Sequence, residues 1–263
     1  MTVPPTAPIS PPIVCMEGVA FLRDGAPVVQ GIDLVVEKGD ILGIIGPNGG
    51  GKTTLLRLML GIERPDAGSV ELFGDPLSRF HGWTRIAYVA QNATHFDPNF
   101  PATVRELVLL GRVPSRGLLH WFTQEDHEIT AWAIEHSGLK GYEKRRVSDL
   151  SGGEKQRAFI AKALAAQAEL LIMDEPTAGV DAESQRLFYD LLHDLNIEHG
   201  VTIILVSHDL SVVHAHVRKV ACVNRTLVYH GDPRALEDQD VIRRLYGADR
   251  ITVAHGQHVI TDG

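Results

Sequence analysis

The chain has 263 residues, 44% hydrophobic and 22% charged, a size and balance suited to one large α/β domain with room for a subdomain. Its 25 Lys and Arg are outnumbered by 33 Asp and Glu, a formal charge of −8, which argues against a surface that coats nucleic acid. No apolar run approaches the ~20 residues of a membrane span, the N-terminus lacks a secretory pattern, and the two cysteines, Cys15 and Cys222, form neither a metal spacing nor a disulfide framework. A cytosolic protein that reaches a membrane only through a partner is the expectation.

Residues 1–12 carry five prolines and are expected to be a disordered or extended tail. Ile13 to Leu22 and Val28 to Val36 read as strands around the turn Arg23–Pro27, close enough in sequence to pair antiparallel. Ile41-Leu-Gly-Ile-Ile45 is a short apolar strand of the buried kind. It runs into Gly46-Pro47-Asn48-Gly49-Gly50-Gly51-Lys52-Thr53-Thr54, which matches G-x-x-x-x-G-K-[ST] without a mismatch. A helix through Leu60 follows and stops at Gly61. The strand–loop–helix context gives the motif its physics. Glycines let backbone N–H groups close on a polyphosphate, and the helix N-terminus adds partial positive charge. Lys52 supplies a point charge to the β- and γ-phosphates, and Thr53 a hydroxyl for Mg²⁺.

Ala67 to Gly74 predicts a further strand, and Arg85 to Ala90 a buried one ending at Gln91, the edge where α/β sheets place ligand contacts. Residues 92–165 change character and read as a helical subdomain inserted into the α/β core. Thr103 and Glu106 have capping-box spacing, a polar, mobile link is expected around Val113–Gly117, and Thr123 caps a helix from Gln124 to His136. In Leu150-Ser151-Gly152-Gly153-Glu154, Ser151 and Glu154 again have that spacing, and the glycines make a second anion-seeking helix end. Nothing in the spacing says that both ends touch one phosphate.

Glu169 to Glu175 is a buried strand tipped by two carboxylates. Asp174 is placed as a Mg²⁺ ligand beside Thr53, and Glu175, expected on the opposite side of the pleat, can polarise a water. After the turn Pro176–Asp181, Asp181 caps a helix to about His199, and the strand Val201–Val206 delivers His208 to the same carboxyl edge. Lys219–Val223 and Leu227–Tyr229 are strands, and Pro233 to Tyr246 is expected to be helical. His255 and His258, in a tail without carboxylate partners, are assigned no ligand role.

In this order and spacing the elements of residues 13–247 resemble the nucleotide-binding subunit of an ATP-binding cassette (ABC) transporter. The resemblance rests on the phosphate loop 46–54, a Q-loop at Gln91, the LSGGE signature at 150–154, a Walker B strand with Asp174 and Glu175, a D-loop at Ala178–Asp181 and an H-loop at His208. It implies a P-loop NTPase core, mainly of parallel sheet, with an N-terminal antiparallel β layer and the inserted helical subdomain. Gly46 to Thr54 would hold the phosphates of ATP, and Thr53, Gln91 and Asp174 would serve Mg²⁺. Glu175 would be the general base, His208 would sense the γ-phosphate, and Asp181 would belong to the nucleotide site. Ser151, Gly152 and Gly153 would contact the ATP of a second copy paired head to tail. A permease in the membrane and, beyond it, an extracytoplasmic substrate-binding protein would complete the machine, with the chain on the inner membrane face and no nucleic acid involved.

The pattern departs from the family at Arg23, where an aromatic ring commonly stacks on adenine, and at Glu154, where glutamine is commonest. An arginine plane can stack on a base. Gly49-Gly-Gly-Lys52, Glu175–Asp181, Cys222–Arg225 and Leu245-Tyr-Gly247 are similar to the zinc, manganese and iron importer group, which implies a divalent metal as cargo. An iron chelate or cobalamin is the alternative cargo, and a soluble ABC ATPase the alternative class.

Overall fold

A computed structural model describes residues 11–91, 101–116, 121–177 and 179–247. The Pro-rich start up to Ser10, the loop 92–100, Gly117, Ala178 and the tail with His255 and His258 lie outside the described residues.

The antiparallel layer forms first. β1 (Val14–Arg23) and β2 (Ala26–Val36) pair directly across Asp24 and Gly25, whose φ angles are 51° and 76°. Two successive left-handed residues twist a two-residue turn to match its strands, so the turn is tighter than the expected span 23–27. β4 (Ala67–Leu72) pairs with β1, and β5 (Asp75–Pro76) with β4, giving the order β2-β1-β4-β5.

The second sheet has the order β10-β9-β3-β8-β7-β6. β3 (Ile41–Ile45), β6 (Ile86–Val89), β7 (Leu170–Asp174), β8 (Thr202–Val206) and β9 (Lys219–Asn224) run parallel, and β10 (Thr226–Gly231) closes one edge antiparallel. Its central strands β3, β7 and β8 are buried along their whole length and mostly apolar because both faces are covered. Leu170, Ile172, Ile204 and Val206 face a core shared with the antiparallel layer and α1 (Lys52–Met59). Leu171, Met173, Ile203 and Leu205 face a second core against helices. Each such side chain contributes about 1.5–3 kcal/mol by burial.

Those helices are α2 (Val104–Leu109), α4 (Gln124–His136), α5 (Gly152–Ala165), α6 (Ala182–His199), α7 (Leu210–His216) and α8 (Gln239–Tyr246). The capping boxes of Thr103, Thr123 and Ser151 all form, and Asp181 caps α6 through the Ser184 N–H.

One expectation is corrected here. The link around Val113 is ordered into a helical turn, α3 (Val113–Arg116). The reason is charge. Arg112, 5% exposed, donates to Asp126 Oδ1 at 2.9 Å and to the Ala165 carbonyl at 2.8 Å, and Arg116 Nε donates to Asp126 Oδ2 at 3.0 Å. Burial alone would raise the Asp126 pKa, but the Thr123 N–H and both guanidinium groups hold it well below the usual carboxylate range. Pro233–Tyr246 is helical as expected, divided into a 3-10 turn, Pro233–Glu237, and α8. Asp232 and Asp238 each accept from a backbone N–H two residues on, so Asp232 starts the 3-10 turn and Asp238 starts α8.

Candidate nucleotide site

The loop Gly46–Gly51 leaves β3 and enters α1 through a gap too narrow for side chains. Gly51 has a φ of 96°, and a Cβ there would stand 2.6 Å from Val29 Cγ1. A Cβ at Gly46 would stand 1.9 Å from the Val223 carbonyl oxygen. The loop is thus wedged between β2 and the β9–β10 turn, and the Arg225 N–H donates to Gly50 O at 2.9 Å. Lys52 opens α1 at 6% exposure, with Nζ donating to the carbonyls of Gly46 (2.8 Å) and Pro47 (3.0 Å). Burial pulls its pKa down, while the Glu175 and Asp174 charges act the other way.

Asp174 ends β7 at 2% exposure, hydrogen-bonded to the Thr53 side chain. Burial pushes its carboxyl pKa up and the Glu175 charge adds to this, against the pull of Lys52. Its Oδ1 has no hydrogen-bond partner among the described residues. Glu175 does not continue the pleat, as the sequence suggests it should. It turns off the strand at a φ of 48°, while its N–H still reaches the Val206 carbonyl at 3.0 Å. The turn aims Oε2 at two neighbours: Gln91 Nε2 donates to it at 2.9 Å, and His208 Nδ1 stands 3.7 Å away.

The structure therefore gathers Lys52, Thr53, Gln91, Asp174, Glu175 and His208 at the carboxyl edge of neighbouring strands. A groove of about 650 Å³ opens there, lined by Gly46, Pro47, Asn48, Glu175 and His208. Asn224 and Tyr246 complete its wall, and both were missed in the sequence. Asn224 ends β9, so the rule that found Gln91 also applies to it. Its amide donates to the Leu245 carbonyl at 2.9 Å, which draws α8 and Tyr246 to the rim.

The remaining predicted residues stand elsewhere. Ser151 caps α5, with its N–H on Glu154 Oε2 at 2.7 Å. Gly153 meets α6 so closely that a Cβ would lie 2.6 Å from Ser184 Cβ, and Asp181 caps that same helix at 2.9 Å. Ser151, Gly152, Gly153 and Asp181 do not line the groove at Gly46–Asn48. Arg23 sits at the β1–β2 turn, 3.5 Å from Glu63 and 5.8 Å from the Phe21 ring centre.

A strand–glycine loop–helix that buries a lysine, beside a strand ending in carboxylates, defines a P-loop nucleoside triphosphatase. The chain also matches the ABC transporter family model over residues 29–178, and it belongs to that family as an ATP-binding, ATP-hydrolysing member. It is 40% identical to the zinc uptake system ATP-binding protein ZurA of Listeria innocua, over 83% of this chain and 85% of that one. It is 36% identical to the manganese transport system ATP-binding protein MntB of Listeria monocytogenes, over 92% of this chain and 99% of that one. To the zinc import ATP-binding protein ZnuC of Marinobacter nauticus it is 36% identical, over 93% and 88%. Among solved structures, cbiO1 of Clostridium perfringens, part of the transporter complex cbiONQ, superposes with a TM-score of 0.77 at 26% identity, covering 89% of this chain and 94% of that one. Among the described residues, no helix is long and apolar enough to cross a membrane.

Proposed function

We propose that the chain is the ATPase of a transporter that imports a divalent transition metal, zinc or manganese. One observation carries the chemistry: Gln91, Glu175 and His208 converge on the mouth of the loop that buries Lys52. In this reading Gly46 to Thr54 cradle the ATP phosphates, and Lys52 turns from the loop carbonyls to the β- and γ-phosphates. Glu175 takes the proton of the attacking water, His208 contacts the γ-phosphate, and Gln91 holds the Glu175 carboxylate until substrate arrives. Arg23 stacks on adenine.

Mg²⁺ fits the buried end of β7. Thr53 and Asp174 offer hard oxygen donors, and Oδ1 of Asp174 lacks another partner among the described residues. Thr53, Asp174 and Gln91 would hold the ion directly or through water, and the ion would neutralise charge developing on the phosphates.

Ser151, Gly152, Gly153 and Asp181 stand apart from the phosphate loop of their own chain, which supports their serving the ATP of a second copy paired head to tail. Residues 13–247 then act as one ATPase domain, with a helical arm at about 92–165. A permease docks in the apolar groove lined by Tyr88, Leu110, Val113, Pro114 and Phe159, which places the chain on the inner membrane face. An extracytoplasmic binding protein delivers the metal, and nucleic acid plays no part. The cargo rests on the zinc and manganese relatives.

Glu175→Gln tests the chemistry: ATP binding stays intact while turnover falls by about a hundredfold or more. Parental turnover in that variant rules out the base assignment. Deleting the gene with its permease tests the cargo: growth becomes dependent on added zinc or manganese, and unchanged metal uptake counts against it.

A further inference from the structure

We infer that Gln156 is a positioning residue for Glu175, holding the peptide that follows the base and so setting where its carboxylate stands. The inference rests on the reading of Glu175 as the base. Gln156 lies early in α5 at 4% exposure, and its Nε2 donates to the carbonyl of Pro176, the residue directly after Glu175. That contact settles the orientation of the amide. Turned over, Oε1 would face a carbonyl oxygen, acceptor against acceptor.

In the orientation found, Oε1 is buried and has no hydrogen-bond partner among the described residues. An unpaired buried oxygen is a net cost to the fold. Methionine would fill nearly the same volume without it. Stability alone therefore does not call for glutamine at this position. What glutamine adds is the donor to Pro176.

That donor has a task. The left-handed φ of Glu175, 48°, is one that residues with side chains avoid, and it persists only where neighbours over-determine it. On the upstream side, the Glu175 N–H is held by the Val206 carbonyl at 3.0 Å. On the downstream side, Pro176 has no N–H to offer, and its carbonyl takes the Gln156 amide. Further on, Gln185 Nε2 donates to the Thr177 carbonyl and the Thr177 hydroxyl meets the Tyr189 hydroxyl, both at 3.3 Å. Gln156 also shares the wall of a small cleft with Gln91, which donates to Glu175 Oε2 at 2.9 Å. The base is thus held at the carboxylate by Gln91 and at the backbone by Gln156. The backbone anchor is carried by the same helix that bears Ser151–Gly153, so displacement of α5 reaches the base.

The test uses Gln156→Met and Gln156→Glu in the full-length chain, with ATP affinity, steady-state turnover and thermal melting measured on each. In Gln156→Met, ATP affinity stays within about twofold, KM is unchanged, the melting temperature equals or exceeds the parent's, and kcat falls about tenfold. In Gln156→Glu, the ionised carboxylate repels the Pro176 carbonyl while the protonated form donates to it. Its kcat relative to the parent therefore rises as pH is lowered from about 8 to 6, whereas the Gln156→Met ratio stays flat. Glu175→Gln is the control. If it abolishes turnover while Gln156→Met keeps the parental kcat, Gln156 has no positioning role and the base assignment stands. If Glu175→Gln itself turns over normally, the base assignment falls and takes this inference with it. A kcat loss that follows a lowered melting temperature in both Gln156 variants, without pH dependence, assigns Gln156 to packing and overturns the inference.

Discussion

Lys52 carries a charge that the fold alone does not favour. Its ammonium is buried, and its pKa is lowered chiefly for that reason, so the charged form is a cost at any pH below the folded pKa and is relieved only as pH rises through it. In the proposed function that cost serves the binding of the nucleotide phosphates. Lys52→Met should therefore separate binding from folding. ATP affinity, followed by fluorescence or calorimetry, drops at least about tenfold, equivalent to 1.4 kcal/mol. The melting temperature without nucleotide holds or rises, because two loop carbonyls lose a donor but a desolvated charge disappears.

At the scale of elements, the helical region hangs on Asp126. Its carboxylate caps α4 and receives Arg112 and Arg116, so it ties α3, α4 and the end of α5 together. Asp126 and Arg112 are buried, whereas the Arg116 side chain is 30% exposed and closes the cluster toward solvent. Asp126→Asn leaves Arg112 buried without its counter-charge and should cost on the order of 3 kcal/mol in chemical denaturation. Because the folded pKa lies below the unfolded one, this stability is present above the unfolded value, about 3.9, and is lost as pH falls through the folded value. Parent and variant should converge in acid unfolding curves. A second element-scale feature is the crossing of α5 and α6 at Gly153. Gly153→Ala pushes a methyl into Ser184 Cβ and displaces the N-terminus of α5. If the crossing sets that terminus, Gly153→Ala lowers ATP turnover and adding Ser184→Gly restores much of it.

At the scale of the molecule, two anion-seeking helix ends that do not share a groove ask for a second copy. In the Glu175→Gln background, light scattering should report a dimer with ATP and a monomer without it. A monomer under both conditions removes the head-to-tail reading.

Much of this arrangement was legible in the chain. The apolar runs of β3, β7 and β8 announce strands buried on both faces, and the residues that follow them mark the carboxyl edge where Gln91, Glu175 and His208 meet. The capping boxes at Thr103 and Ser151 were readable because their partners lie three residues away, and Thr123 was readable as a cap. What escaped was long-range. Arg112 finds Asp126 and Ala165 across a fold that spacing does not encode, so an ordered turn looks like a polar linker. The left-handed turn at Glu175 is flanked by anchors on two other elements, β8 and α5. Tyr246 lines the groove from the end of α8, which Asn224 holds through the Leu245 carbonyl and Val241 and Leu245 anchor in the core.

The wedging of the phosphate loop has a consequence for how the protein is made. Gly46 and Gly50 lean on Val223 and Arg225, residues translated long after them. A nascent chain that has already displayed its whole glycine loop, but not yet β9 and its turn, lacks one wall of the cradle. Triphosphate capture should therefore come late in biosynthesis, and fragments truncated before that turn should fail to bind ATP in a filter or calorimetric assay.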